Sequence, residues 1–169
     1  MSFQLTGTQP HGVLRWGLRL PLWLYRLHLG WLLGERFLML THVGRKSGRL
    51  RHTVIEVVHH DRPTDTYFIT SGWGEKPDWY RNLQKTPVVT IHVGRRELAI
   101  IAARAPVDDA TRVLLDYAHQ HPVAFRELSR VMLGRRLNGT PEDCQMLAES
   151  VPVVALRPRS KSAEVENKR

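Results

Sequence analysis

The chain has a single cysteine, Cys144, so no disulfide can form within it, as expected in a reducing compartment such as the cytoplasm. Acidic neighbours raise the pKa of a thiol, and we interpret Cys144 as structural. Neither a His-Glu-x2-His pair nor a paired-cysteine motif is present, so no metal site is predicted. No nucleophile elbow is present either, and Ser47 and Ser71 have no obvious His/Asp pair.

Long apolar runs are also missing, although a membrane-spanning helix needs about 20 apolar residues with almost no charge. The segment 12–34 is rich in Leu and Trp, but Arg15, Arg19 and Arg26 interrupt it. No small-residue cleavage site follows, so it is not a signal peptide. The pattern predicts two short amphipathic helices, the second opening at Pro21. Such a mixture is typical of a membrane interface, and we expect peripheral contact with the inner face of the cell membrane. The alternative is packing against the rest of the fold or a second copy.

Acidic residues are few, 16 against 25 basic ones, which gives a net charge of +9. This excess favours an anionic partner, such as a phosphorylated cofactor, a nucleic acid or an anionic membrane. The predicted strands lack the interleaved exposed aromatics of an RNA-recognition sheet, so we expect no nucleic-acid partner.

Alternating apolar residues and turn signals predict six strands with few helices between them, which excludes repeated βαβ units. The fold expected is mainly β with peripheral helices, an antiparallel barrel of about six strands. We expect helices at 1–36, the barrel at 37–158 and a disordered tail at 159–169. The predicted strands are 37–43, 50–60, 66–71, 88–93, 97–105 and 151–156, and the later helices are 79–85, 107–119, 122–133 and 141–149.

A basic loop, residues 44–51, joins the first two predicted strands. Gly44 and Gly48 let the backbone curl, so that successive N–H groups turn toward one point. Cationic side chains and one hydroxyl surround that point, from Arg45, Lys46, Ser47, Arg49 and Arg51. This arrangement suits a phosphate or several carboxylates. The alternative is a solvated turn whose charges keep the protein soluble.

A second loop, residues 71–77, follows the third predicted strand and leads into a short helix for which Asp78 is the expected N-cap. Glycines after a strand let the backbone approach a ligand, and a helix N-terminus offers free N–H groups. Trp73, Trp79 and Tyr80 offer flat apolar surface that could hold a planar heterocycle. The alternative is that Trp79 anchors the core and the glycines only make a turn.

The ordered set Gly-Arg-Lys-Ser-Gly-x-x-Arg at 44–51, Ser-Gly at 71–72 and Asp-Trp-Tyr-x-Asn-Leu at 78–83 resembles the deazaflavin-dependent nitroreductase family. The resemblance implies a split β-barrel, coenzyme F420 as cofactor and an acidic cofactor tail held by Arg45, Lys46, Ser47 and Arg51. It further implies a deazaflavin ring lined by Ser71, Gly72, Trp79 and Tyr80. We add Gly44, Gly48, Trp73 and Asp78 to the predicted cofactor-binding set. Other members of the superfamily bind flavin mononucleotide, haem or lipid, so FMN is the alternative cofactor.

The resemblance implies hydride transfer from reduced F420 to a quinone-like or other conjugated acceptor. Tyr80 is the predicted catalytic residue, as proton donor, and a histidine is the alternative donor. Tyrosines found in nitroimidazole-reducing members are missing from 121–128, so we predict an apolar acceptor wall of Val123, Phe125 and Leu128. The alternative function is a non-catalytic carrier of an amphipathic small molecule, lipid, FMN or haem. A homodimer is also left open.

Overall fold

The computed structural model describes residues 34–159, which form six strands and four helices. The predicted helices within 1–33 and the predicted tail at 160–169 lie outside the described residues. The strands are β1 Phe37–Val43, β2 Leu50–Asp61, β3 Thr66–Thr70, β4 Val88–Val93, β5 Arg96–Arg104 and β6 Val153–Pro158. The helices are α1 Asp78–Lys85, α2 Val107–Gln120, α3 Pro122–Leu133 and α4 Pro141–Ser150.

The strands close into an antiparallel barrel in the order β1-β2-β3-β6-β5-β4, with β4 pairing back onto β1. Leu40 pairs with Thr53 of β2 on one side and with Ile91 of β4 on the other. Burial alternates along β1, as the two-residue period of a strand requires. The predicted fold class, mainly β with peripheral helices, is confirmed.

Two apolar clusters hold the fold together. One fills the barrel with side chains such as Leu38, Ile69 and Ile91, all fully buried. The other lies outside, where α2, α3 and α4 pack over Val58 of β2 and Val153 of β6. Cys144 is buried in this second cluster, and burial together with neighbouring Asp143 raises its thiol pKa to about 11, in line with its predicted structural role. In the described part of the chain, no helix is long and apolar enough to cross a membrane.

The two ends of the barrel differ. The loop end carries the basic loop, the second loop and α1, because β1 and β3 end there while β2 and β4 begin there. The opposite end carries an ionic cluster in which Nη1 and Nη2 of Arg96 both bind the Asp65 carboxylate. His60 Nε2 lies 3.0 Å from Asp65 Oδ1, and its ring stacks on Tyr67 at 3.9 Å. The predicted binding residues therefore share one end.

Candidate functional site

The basic loop is a tight backbone turn. The Gly44 N–H donates to the Arg49 carbonyl at 2.8 Å, and the Gly48 N–H donates to the Gly44 carbonyl at 2.7 Å. Gly48 has a φ of 66°, in the left-handed region that favours glycine. A Cβ on Gly44 would lie 2.7 Å from Ser47 Oγ and 3.1 Å from Arg51 Nε, so a larger residue here would displace the Ser47 side chain.

Arg45 points inward and ties the basic loop to α1. One of its guanidinium nitrogens, Nη1, lies 2.7 Å from Asp78 Oδ1 and 3.2 Å from Asn82 Oδ1. Its backbone N–H donates to Asn82 Oδ1 at 3.0 Å, and Lys85 Nζ donates to the Arg45 carbonyl at 3.0 Å. Arg45 was predicted only as a tail ligand, whereas here it also joins the two halves of the site.

Asp78 is not the N-cap that the sequence predicted. Pro77 occupies the cap position, no side chain caps the helix, and Asp78 is the first helical residue. The Asp78 carboxylate accepts from Arg45 instead, and that hydrogen bond lowers its pKa. An acidic residue in the first turn still favours the helix through its dipole.

The predicted cofactor-binding set contained neither His42 nor Asn82, although both are buried beside the basic loop. Asn82 is 2% exposed and His42 is 3% exposed. Asn82 Nδ2 lies 3.0 Å from His42 Nδ1, and His42 Nε2 lies 3.3 Å from Thr53 Oγ1. Burial, with smaller contributions from Arg51 and His52, lowers the His42 pKa, while Asp78 opposes the shift. Only the Asp-Trp-Tyr-x-Asn spacing hinted at Asn82.

Three cations of the basic loop face solvent. Lys46, Arg49 and Arg51 are exposed, and none of their side chains has an ion pair or hydrogen bond with another residue in 34–159. Ser47 Oγ accepts from the Arg49 N–H at 3.4 Å. This donor set fits a phosphate or a chain of carboxylates, because three exposed cations and a hydroxyl lie together on one tight turn.

The second loop is fixed from several sides. The Ser71 N–H donates to the Pro152 carbonyl at 2.9 Å, and Ser71 Oγ donates to the Gly74 carbonyl. Arg81 Nε of α1 donates to the Glu75 carbonyl at 3.0 Å, while the Glu75 carboxylate pairs with Arg104 of β5 at 2.8 Å. The loop is therefore preorganised before any ligand arrives.

The aromatic residues of α1 lie next to this loop. Trp79 and Tyr80 pack edge to face, with ring centroids 5.9 Å apart. Trp79 is half-buried against the barrel cluster, and Trp73 of the second loop is also half-buried. Tyr80 is 3% exposed, and burial raises the pKa of its hydroxyl while nearby Arg104 lowers it.

The predicted acceptor wall of Val123, Phe125 and Leu128 does not form a single surface. Phe125 is 1% exposed within the outer helical cluster, whereas Val123 on the same helix is 73% exposed, so the two side chains cannot line one surface. The residue of α3 that does approach the second loop is Met132. Its Cε would lie 3.4 Å from a Cβ on Gly72. Sequence reasoning missed it because a methionine at helical spacing is ordinarily a core residue.

Comparison with known proteins agrees with this geometry. A family model described as F420H(2)-dependent quinone reductase matches residues 22–138. The fold resembles the F420-H2 dependent reductase FDR-A, with a TM-score of 0.51 at 19% identity over 73% of this chain and 96% of that one. It also resembles a solved structure described as a domain-swapped dimer, with a TM-score of 0.51 at 18% identity over 81% of this chain and 99% of that one. Atu2129 of Agrobacterium tumefaciens, of unknown function, matches with a TM-score of 0.52 at 15% identity over 89% of this chain and 57% of its own.

Proposed function

This chain belongs to the F420H(2)-dependent quinone reductase family, and from that premise we propose that it reduces a quinone-like acceptor at the loop end of the barrel. It is an F420-dependent oxidoreductase, as the sequence predicted. When bound, reduced F420 supplies a hydride. The observation that supports this placement is the basic loop, which exposes Lys46, Arg49 and Arg51 and is held against α1 by the contacts of Arg45 with Asp78 and Asn82.

The basic loop neutralises the acidic tail in this proposal. The positive charge comes from Lys46, Arg49 and Arg51, which form no ion pair with any other described side chain, and Ser47 adds a hydroxyl. Charge-assisted hydrogen bonds of this kind are about twice as strong as neutral ones. Arg45 acts differently, because its contacts with Asp78 and Asn82 hold the loop against α1.

The second loop and α1 hold the planar ring. Gly72 permits close approach of the backbone, and Trp73 and Trp79, which both follow it in the sequence, offer half-buried aromatic surface. Met132 limits the space above Gly72 and helps to exclude water from it. The hydrogen bonds of Ser71 and Glu75 keep this surface rigid, which favours a fixed distance between ring and acceptor.

Reduction of a quinone carbonyl by a hydride leaves negative charge on oxygen, and a proton must reach it. Tyr80 is the proposed donor. A phenol of ordinary pKa is already protonated at neutral pH; burial raises the pKa of the Tyr80 hydroxyl further, and Arg104 offsets part of that shift. The hydroxyl can therefore hold a proton and release it when an oxyanion develops nearby.

The acceptor is proposed to be a quinone rather than a nitro compound. The part of α3 beside the second loop offers the thioether of Met132, and 122–133 contain no tyrosine to hydrogen-bond a nitro group. Losing one such bond costs about 1–3 kcal/mol, equivalent to roughly a ten- to hundredfold rate preference.

The test follows the loss of reduced cofactor with menadione and with a nitroimidazole in parallel. We expect faster turnover of menadione. Faster turnover of the nitroimidazole would contradict the acceptor proposal. Firm cofactor binding with no turnover of any acceptor would favour a carrier.

Homodimer formation remains a prediction. Val88 and Ile101 pair across β4 and β5 on the outer face of the barrel and are 46% and 44% exposed. Two apolar neighbours on a sheet face that is exposed among the described residues suit a second copy of the chain. Light scattering at several protein concentrations measures the oligomeric state directly.

A further inference from the structure

A buried polar pair, His42 on β1 and Asn82 on α1, lies behind the basic loop and is not among the charged side chains proposed to bind the cofactor tail. Buried polar groups are costly unless their hydrogen bonds are made, and removing one partner leaves the other unsatisfied. A pair this deep therefore constrains the elements that carry it. The pair connects the strand before the basic loop with the helix after the second loop.

The contacts of Asn82 fix which way its amide points. Its Oδ1 lies 3.0 Å from the Arg45 backbone nitrogen and 3.2 Å from Arg45 Nη1, both of which can only donate. The oxygen must therefore face Arg45, and Nδ2 must donate to His42 Nδ1 at 3.0 Å.

This orientation determines the tautomer of His42. Since Nδ1 accepts, the ring proton lies on Nε2, which donates to Thr53 Oγ1 at 3.3 Å. With His42 neutral, every hydrogen bond in the series Thr53–His42–Asn82–Arg45 has one donor and one acceptor.

We propose that Asn82 and neutral His42 are positioning residues that set the basic loop for the cofactor tail, and that protonation of His42 at Nδ1 releases the loop. A proton on Nδ1 would face the Asn82 Nδ2 donors. Flipping the amide would satisfy His42, but it would turn those donors toward the Arg45 N–H and guanidinium. The first arrangement loses the hydrogen bond that fixes the Asn82 amide, and the second loses the contacts of the Asn82 oxygen with Arg45. Lys46 and Ser47 directly follow Arg45 in the basic loop. The inference rests on the proposed function, which places the cofactor tail at this loop.

The surroundings of His42 keep it neutral near pH 7. Burial has the largest effect and lowers the pKa of His42, and the Arg51 and His52 side chains of β2 lower it further. Asp78 faces it from α1 and favours protonation, but its carboxylate is engaged by Arg45. These contributions outweigh that of Asp78, so the pKa of His42 lies below its usual value.

The first test measures cofactor affinity from pH 8 to pH 5 in the wild type and in His42→Asn. An asparagine places an acceptor oxygen near the position of Nδ1 but cannot titrate. Ionisations of the cofactor occur equally with both proteins and cancel in the ratio of dissociation constants. We expect the wild type to weaken relative to the variant by up to about tenfold per pH unit below the His42 pKa. Superimposable pH profiles would overturn the proposal. His119→Asn, at an exposed histidine, is the matched control and should follow the wild type.

The second test is Asn82→Ala at pH 7.5. The apparent dissociation constant rises in inverse proportion to the fraction of molecules whose basic loop is in the binding position. We expect that fraction to fall to about a tenth in the variant, which weakens binding about tenfold. Asn138→Ala, the same change at an exposed site, should bind like the wild type. Unchanged affinity in Asn82→Ala would overturn the proposal. If that variant does not fold, the profile of His42→Asn still decides.

A third test needs no cofactor. Nitrogen-15 NMR of the histidine rings, with the His42 signals identified by their loss in His42→Asn, should show the Nε2–H tautomer at pH 7.5. An Nδ1–H tautomer would overturn the proposal. If Lys46→Ala and Arg51→Ala bind F420 normally, the tail lies elsewhere and the proposed function fails, whereas the NMR result still decides the hydrogen-bonding scheme.

Discussion

Arg45 and Arg51 carry the same charge in the same loop, yet the structure predicts different consequences for their removal. Arg51 is exposed and makes no ion pair or hydrogen bond with any other residue of 34–159. In Arg51→Ala the free energy of unfolding should change by less than about 0.5 kcal/mol, as for most surface substitutions. Cofactor binding should lose one charge-assisted hydrogen bond, about 1.5–3 kcal/mol, which corresponds to roughly 10- to 150-fold in the dissociation constant.

Arg45→Ala should instead reduce stability and affinity together. Its side chain is 21% exposed and pairs with an Asp78 side chain that is 80% exposed, so the ion pair itself is weak. Asn82 also loses one of its two donors. Together these losses should lower the free energy of unfolding by about 1 kcal/mol.

Two measurements on each variant separate these effects, a fluorescence titration with F420 and a denaturant melt. Lys46→Ala should behave like Arg51→Ala. Arg62→Ala, an exposed arginine in the turn at the opposite end of the barrel, is the matched control and should bind normally. The division of roles within the loop is refuted if Arg51→Ala binds like the wild type, or if Arg45→Ala binds more weakly without any loss of stability.

Three further outcomes are expected. Phe125→Ala should lower the free energy of unfolding by about 3–5 kcal/mol, whereas Val123→Ala on the exposed face of α3 should change it by less than about 0.5 kcal/mol; equal losses would contradict the packing. Arg96 lowers the folded-state pKa of Asp65, so the stability that Asp65 contributes is present above about pH 4 and is lost as pH falls further; the melting-temperature gap between wild type and Asp65→Asn should narrow below that pH, and a constant gap would contradict it. The full chain should co-sediment with anionic vesicles through 12–34 and dissociate as salt rises, and failure to bind would assign that segment to the barrel or to a second copy.

Local patterns in the sequence predicted much of the barrel. The bounds of β1, β4 and α3 agree with the prediction, because alternation marks the two strands and Pro122 marks the first turn of the helix. The sixth strand was placed two residues too early, at 151–156 instead of Val153–Pro158. Val151 and Pro152 continue the apolar run, and burial alone does not distinguish a strand from the residue that leads into it.

The predicted site residues stay predictions, but the structure shows why their roles could not be separated from sequence alone. Arg45 and Arg51 have the same chemistry, and only a partner on another element distinguishes them. That partner, Asn82, is 37 residues from Arg45 in the chain. The Asp78 N-cap failed for a related reason, since Pro77 fixes the turn and Arg45 takes the carboxylate. Long-range contacts of this kind leave no periodic signal.

The place of β6 between β3 and β5 affects how the protein folds during synthesis. Three helices separate β5 from β6 in the chain, so the ribosome makes five strands long before the strand that joins their two free edges. Until β6 emerges, β3 and β5 expose unpaired backbone that can pair with another nascent chain. The hydrogen bond from the Ser71 N–H to the Pro152 carbonyl also cannot form until residue 152 has been synthesised. A chain stopped at residue 150 would contain every predicted ligand residue and still be unable to set the second loop.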